Sequence, residues 1–264
     1  MSTNKKNKKK NADMQGYFIF ACIFALLIAG GAYFIKTQSE AVVRNKTDLC
    51  RDDGFVARET AIIIDATDDF NESQALVVKK EFENIISKSL IDERFSLYVV
   101  NEKLADNKPL VVACNAGDGS DKSNMTANLR RLKQAWEEQF YNKIVNQIDE
   151  LIGEHEADES PIMEFIKYVS VQTFYSSQAA EKRLIIVSDM LHHTGAFSHY
   201  TVNQKFFDSP YAIEVRPYLD DIEVEVLYIY RPEYANLQTR KHVEFWEKYF
   251  SQGNGKLTRV KTIN

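Results

Sequence analysis

The chain has 264 residues, a formal net charge of −5, and 44 % hydrophobic and 27 % charged residues. That is an ordinary globular composition, long enough for one large domain with appendages. The negative balance argues against a nucleic-acid-binding body, although the extreme N-terminus is basic.

Lys5, Lys6, Lys8, Lys9 and Lys10 form a basic tail within residues 1–15. From Gly16 to Ile35 there is no charged residue, and a helix needs about 20 apolar residues to cross a hydrocarbon core. Tyr17 and Tyr33 lie near the two ends of this run and Lys36 closes it, as interfacial anchors do. A cleavable signal peptide has an apolar core of only about 7–15 residues. Residues 16–35 are therefore predicted to be an uncleaved transmembrane signal anchor. The preceding lysines keep the N-terminus cytoplasmic and place everything after Lys36 outside the cytoplasm, with the bacterial periplasm the expected compartment. Asn45-Lys46-Thr47, Asn71-Glu72-Ser73 and Asn124-Met125-Thr126 are glycosylation sequons that leave a eukaryotic cell surface open. The span holds no ionisable residue, which argues against an ion-carrying role.

Residues 36–60 are polar and read as a tether to a domain over 61–264. Cys22 lies in the span, Cys50 in the tether and Cys114 in the domain. Outside the cytoplasm Cys50 and Cys114 either form a bridge or stay as two buried thiols, and the sequence leaves the choice open.

Ala61-Ile62-Ile63-Ile64 reads as a strand buried on both faces, ending at Asp65. A helical pattern starts near Glu72, with Leu76, Val77, Phe82, Ile85, Ile86 and Leu90 on one face. Phe95–Val100 and Leu110–Cys114 read as the second and third strands. Asn124 to Gly153 is a long helical pattern whose Leu129, Leu132, Trp136, Phe140, Ile144, Ile148 and Leu151 stripe is expected in the core. Ser160-Pro161 is a helix start, with serine as cap and proline at the first helical position. Lys182–Ser188 is a second buried strand, closing on Asp189. His192 and His193 follow and are expected on the surface rather than as zinc ligands. The aromatic connection 194–221 either docks a partner or packs on the domain. Ile222–Tyr230 alternates as a strand nearer an edge does, and Arg231-Pro232 ends it. A helix from about Tyr234 to Phe250 and a short strand from Leu257 to Ile263 complete the pattern.

Asp65, Thr67 and Asp69 aim three oxygens at one point, as a hard cation requires. The segment resembles the first metal-site loop of von Willebrand factor type A domains, Asp-x-Ser-x-Ser, with Thr67 and Asp69 in the serine positions. Ser160 before Pro161 is similar to the family's second segment, and Ser188-Asp189 to its third, with Met190 where glycine is common. The resemblance covers roughly residues 60 to 264. It implies a Rossmann-like three-layer α/β/α sandwich with a central, mostly parallel sheet, here preceded by one transmembrane helix. It also implies a divalent cation (Mg, Mn or Ca) held by Asp65, Thr67, Asp69, Ser160 and Asp189, and a protein partner as ligand. The third carboxylate, Asp69, should strengthen cation binding but lower the positive charge left for a partner's carboxylate. A metal-dependent hydrolase or phosphotransferase is the enzymatic alternative. Asp65 to Asp69 does not supply the Asp-x-Asp-x-Thr of haloacid dehalogenases, and no phosphate loop or nucleophile elbow is present. A metal-free scaffold is the third reading.

Overall fold

The computed structural model describes residues 17, 20–32, 42–67, 69–100, 108–122, 127–151, 157–201 and 205–264. Residues 20–32 are helical and belong to a unit separate from the domain. Among the described residues no helix is long and apolar enough to cross a membrane. The basic tail, residues 16, 18, 19 and 33–35 of the predicted span and the Asn124 sequon lie outside the described residues.

The second unit, Arg44–Asn264, is built on a six-stranded sheet. Its strands are β1 (Arg58–Asp65), β2 (Glu93–Val100), β3 (Val111–Cys114), β4 (Glu181–Ser188), β5 (Ile222–Ile229) and β6 (Lys256–Ile263). The order is β3-β2-β1-β4-β5-β6, parallel except for β3, which runs antiparallel to β2. Helices α1 (Glu72–Ser87), α2 (Leu129–Trp136), α3 (Asn142–Leu151), α4 (Ile162–Val169), α5 (Pro210–Glu214) and α6 (Arg240–Gln252) complete the domain.

The β-branched run of β1 is central because both its faces are covered. Ile62 and Ile64 pack with Phe82 and Ile86 of α1 and Ile144 of α3. Ala61 and Ile63 face the other layer, with Met163 and Ile166 of α4 and Trp246 and Tyr249 of α6. Each fully buried isoleucine contributes roughly 1.5–3 kcal/mol. The result is a three-layer α/β/α sandwich with a mostly parallel sheet, as the sequence predicts and consistent with a Rossmann-like type A fold. Strand order reverses between β1 and β4, and such a switch point opens a crevice at the carboxyl ends of the strands.

Several local expectations change. The second half of the expected tether belongs to the domain: Leu49 is buried, and Asp48 accepts from the Cys114 amide at 2.7 Å. Cys50 and Cys114 form a disulfide with Cα atoms 4.8 Å apart. Closing a loop of sequence separation 64 contributes about 4 kcal/mol on the chain-entropy model. The helical stretch after Asn124 is α2, a π-helical turn over Glu137–Tyr141, and α3. Its stripe is core only in part. Phe140 and Ile144 are buried, whereas α2 buries no residue, because Leu129 and Leu132 cover the Gly119 turn instead of the sheet. On α1, Leu76 is exposed and the buried face runs through Gln74, Val78, Phe82, Ile85 and Ile86. β5 does lie near an edge, one place inside the edge strand β6, as its alternation suggests. The alternation of β5 reflects exposed Glu223 and half-buried Glu225, which pairs with Arg183 and Arg259.

Candidate functional site

Asp65 ends β1 at the switch point and its side chain is the hub of the site. It is 6 % exposed. Oδ1 accepts from the Thr67 amide at 3.2 Å and the Thr67 hydroxyl at 2.6 Å, a local turn of the kind aspartates favour. Oδ2 accepts from the Ser188 hydroxyl at 2.7 Å and the Ser160 hydroxyl at 3.3 Å. Three chain segments thus meet on one carboxylate.

Ser160 is not the helix cap that its position before Pro161 suggests. Pro161 caps α4, with no side-chain bond at that end. The Ser160 hydroxyl is committed to Asp65 instead. Its backbone is fixed against the loop after β4, exchanging amide bonds with His193 at 2.8 and 3.0 Å. Ser188 also accepts from the Met190 amide at 2.7 Å. That bond holds Met190 in the left-handed region at φ 63°, a conformation non-glycine residues rarely adopt. The Met190 carbonyl receives Trp246 Nε1 at 3.0 Å and His242 Nε2 at 3.1 Å, so the strained turn is held from both sides.

Asp189 and Asp69 are engaged differently. Asp189 is buried, and its Oδ1 accepts from the Leu191 amide at 2.8 Å. Its Oδ2 lies 3.4 Å from Arg231 Nε. Asp69 is exposed, and its backbone carbonyl accepts from Arg231 Nη1. Asp68 lies outside the described residues. The structure therefore gathers Asp65, Thr67 and Ser160 directly, while Asp189 and the Asp69 backbone meet on a guanidinium.

Sequence reasoning missed Arg231 and Gln238 as site residues. Gln238 is buried and joins the ends of β4 and β5, donating to the carbonyls of Asp189 (3.0 Å) and Ile229 (2.8 Å) and accepting from the Arg231 amide (2.6 Å). The available signal was position: Arg231 follows β5 at the same end of the sheet as Asp65 and Asp189.

The donor chemistry fits a hard cation in part. Thr67, Ser160 and Ser188 hydroxyls around the Asp65 carboxylate are all hard oxygen donors. Among the described residues no three His, Cys, Asp or Glu side chains converge to hold a metal ion. The positive charge beside Asp189 comes from the chain itself.

Next to the site lies a buried histidine layer. His192, expected on the surface, is fully buried, and only His193 is exposed. His192 Nδ1 accepts from the Met163 amide at 3.4 Å, and its Nε2 meets the Tyr211 hydroxyl at 3.1 Å. Tyr211 in turn donates to Glu164. Burial pushes the His192 imidazole down to about 3, His199 to about 2 and His242 to about 4. Burial raises Glu164 above the usual carboxylate range. It also raises the Tyr228 hydroxyl, with the Asp189 charge adding to the effect. In the aromatic connection Phe197 and Phe206 are buried and stack around Phe245. Through these residues the segment packs on the domain, while Tyr200 and Tyr218 stay exposed.

Fold and site together define a Rossmann-like α/β domain with a hydroxyl–carboxylate cluster at its switch point. No protein-family model and no curated protein matches the chain. Among solved structures it is similar to an aerotolerance-related membrane protein from Bacteroides fragilis carrying multiple mutations to serines. That match has 13 % identity, covers 78 % of this chain and 91 % of the other, and has a TM-score of 0.39. It is also similar to the conserved hypothetical protein BatB from Bacteroides thetaiotaomicron (14 %, 78 % and 90 %, 0.38). A D319A mutant of the PilB minor pilin from Streptococcus sanguinis matches at 11 % over 80 % of this chain and 58 % of the other, with a TM-score of 0.43. Strand order and the two helical layers show the fold.

Proposed function

We propose that this chain is a membrane-anchored, extracytoplasmic, type A-like module that binds another protein at the carboxyl edge of its sheet. A divalent cation (Mg²⁺, Mn²⁺ or Ca²⁺) is held there through Asp65, Thr67, Asp69, Ser160 and Asp189. The observation that carries the reading is the meeting of Thr67, Ser160 and Ser188 hydroxyls on the buried Asp65 carboxylate. Hydroxyls from segments far apart in sequence converge on one anion at the place where α/β sheets bind ligands. The cation would bring these oxygens a partner-facing coordination position.

Calorimetric titration of the chelator-treated chain tests it. One ion should bind, and at a hundredfold excess over the dissociation constant it should stabilise the fold by about 2.7 kcal/mol. Asp65→Ala combined with Asp189→Ala should abolish both heat and thermal shift. Absence of either response in the unsubstituted chain, for all three ions, would remove the cation from the reading.

The anchor is part of the proposal and rests on the uncharged run 16–35 behind the lysines. A reporter active only outside the cytoplasm, fused after Asn264, should be active. Activity of a cytoplasm-only reporter at that junction would reverse the topology.

A further inference from the structure

We propose that Arg231 is a tethered counter-ion of the site and competes with the divalent cation for Asp189; this inference rests on the cation reading above. The Arg231 side chain is 14 % exposed and spans two of the segments expected to supply ligands. Its Nε faces Asp189 Oδ2 at 3.4 Å on the β4 side, and Nη1 donates to the Asp69 carbonyl on the β1 side. The placement is built rather than incidental. Gln238, itself buried, fixes the Arg231 amide with one end and the Asp189 carbonyl with the other.

A guanidinium cannot give up its proton in a protein, so this positive charge is permanent. It is planar and suited to a carboxylate. A divalent ion reaching Asp189 would meet a fixed positive charge within a few ångströms, in a partly buried place where water screens poorly. Ion and guanidinium therefore exclude one another at Asp189. The Asp65, Thr67 and Ser160 half stays available to the ion, whereas the Asp189 half opens only when Arg231 withdraws. Arg231 thereby sets how tightly the site holds an ion and ties the positions of the post-β1 and post-β5 loops to ion occupancy. A partner carboxylate that drew Arg231 away would raise ion affinity, and by linkage the ion would raise partner affinity equally.

The test is titration of the full chain with Mg²⁺, Mn²⁺ and Ca²⁺ separately, in the unsubstituted protein and three variants. Arg231→Gln and Arg231→Met remove the charge in two shapes, so that a folding defect in one does not void the experiment. Arg231→Lys keeps the charge. The neutral variants are expected to bind at least one of these ions tenfold or more tightly, with Arg231→Lys within threefold of the unsubstituted chain. Equal affinities in all four proteins would overturn the competition while leaving the cation reading in place. No binding in any of them would overturn both, and tightening in Arg231→Lys as well would assign the effect to shape instead of charge.

Discussion

Lowering the pH from 7 to 5 is expected to remove about 6 kcal/mol of folding stability, because three buried imidazoles refuse protons that the unfolded chain accepts. His192, His199 and His242 are held near 3, 2 and 4, all below the ordinary value of 6.5. Stability is complete above pH 6.5 and is lost as the pH falls through it, at up to about 1.4 kcal/mol per ring per pH unit. Burial disfavours the charged form of all three rings. His242 Nδ1 lies 2.7 Å from the Tyr228 hydroxyl, and its Nε2 lies 3.1 Å from both the Met190 carbonyl and Trp246 Nε1, so both ring nitrogens are engaged inside the core. Among the described residues both His199 nitrogens are buried without a hydrogen-bond partner, enclosed by the rings of His242, Phe245 and Trp246. Glu164 works in the opposite direction: its raised pKa lets the folded state take up a proton first, offsetting part of the loss. Urea titrations at pH 7 and pH 5 measure the difference. His199→Phe should reduce the pH dependence by about one third, since one of three rings is removed. A stability that is flat between pH 7 and 5 would show that the three rings are not held neutral.

This histidine layer also marks where reading the sequence reaches its limit. The strands β1 and β4 were legible because buried parallel strands are written as continuous apolar runs, and both runs stop on a polar residue at the same sheet edge. The pairing of Ser160 with that edge was legible only as a resemblance, since Ser-Pro before a helix describes a cap equally well. His192-His193 carries no such pattern: adjacent residues at a strand mouth point to opposite sides, and only the arrival of Tyr211 and Phe197 from the following connection buries the first. Arg231 was hidden for a related reason. It ends an alternating strand next to a proline, which explains it locally, and its contact with Asp189 spans 42 positions. The disulfide was undecidable beforehand because β3 enters antiparallel, a matter of long-range pairing that the cysteines do not encode.

Replacing Glu93 with alanine is expected to cost about 5 kcal/mol, at the upper end of what removing one partner from a buried ion pair costs. Glu93 opens β2 at the amino edge of the sheet, opposite the candidate site, and has no solvent exposure. Its Oε1 accepts from the Thr60 hydroxyl at 2.6 Å and Arg183 Nη2 at 2.9 Å. Its Oε2 accepts from the Leu90 amide at 2.8 Å and Arg58 Nη1 at 3.3 Å. One carboxylate therefore satisfies donors from β1, β4 and the turn into β2. Deleting it leaves the buried Thr60 hydroxyl unpaired, frees the Leu90 amide and takes from Arg183, only 14 % exposed, its strongest counter-charge. Glu225 at 3.5 Å recovers some of that interaction, and Arg58 keeps Glu181 at 2.6 Å. Glu93→Gln preserves the shape and one acceptor, so it should lose clearly less than the alanine variant. Urea unfolding at pH 7 reads both values, and cation titration of the two variants should match the unsubstituted chain because the site lies at the other end of the strands. A loss under 1 kcal/mol for Glu93→Ala would mean that water reaches this edge of the sheet and that the strands are registered by their apolar faces alone.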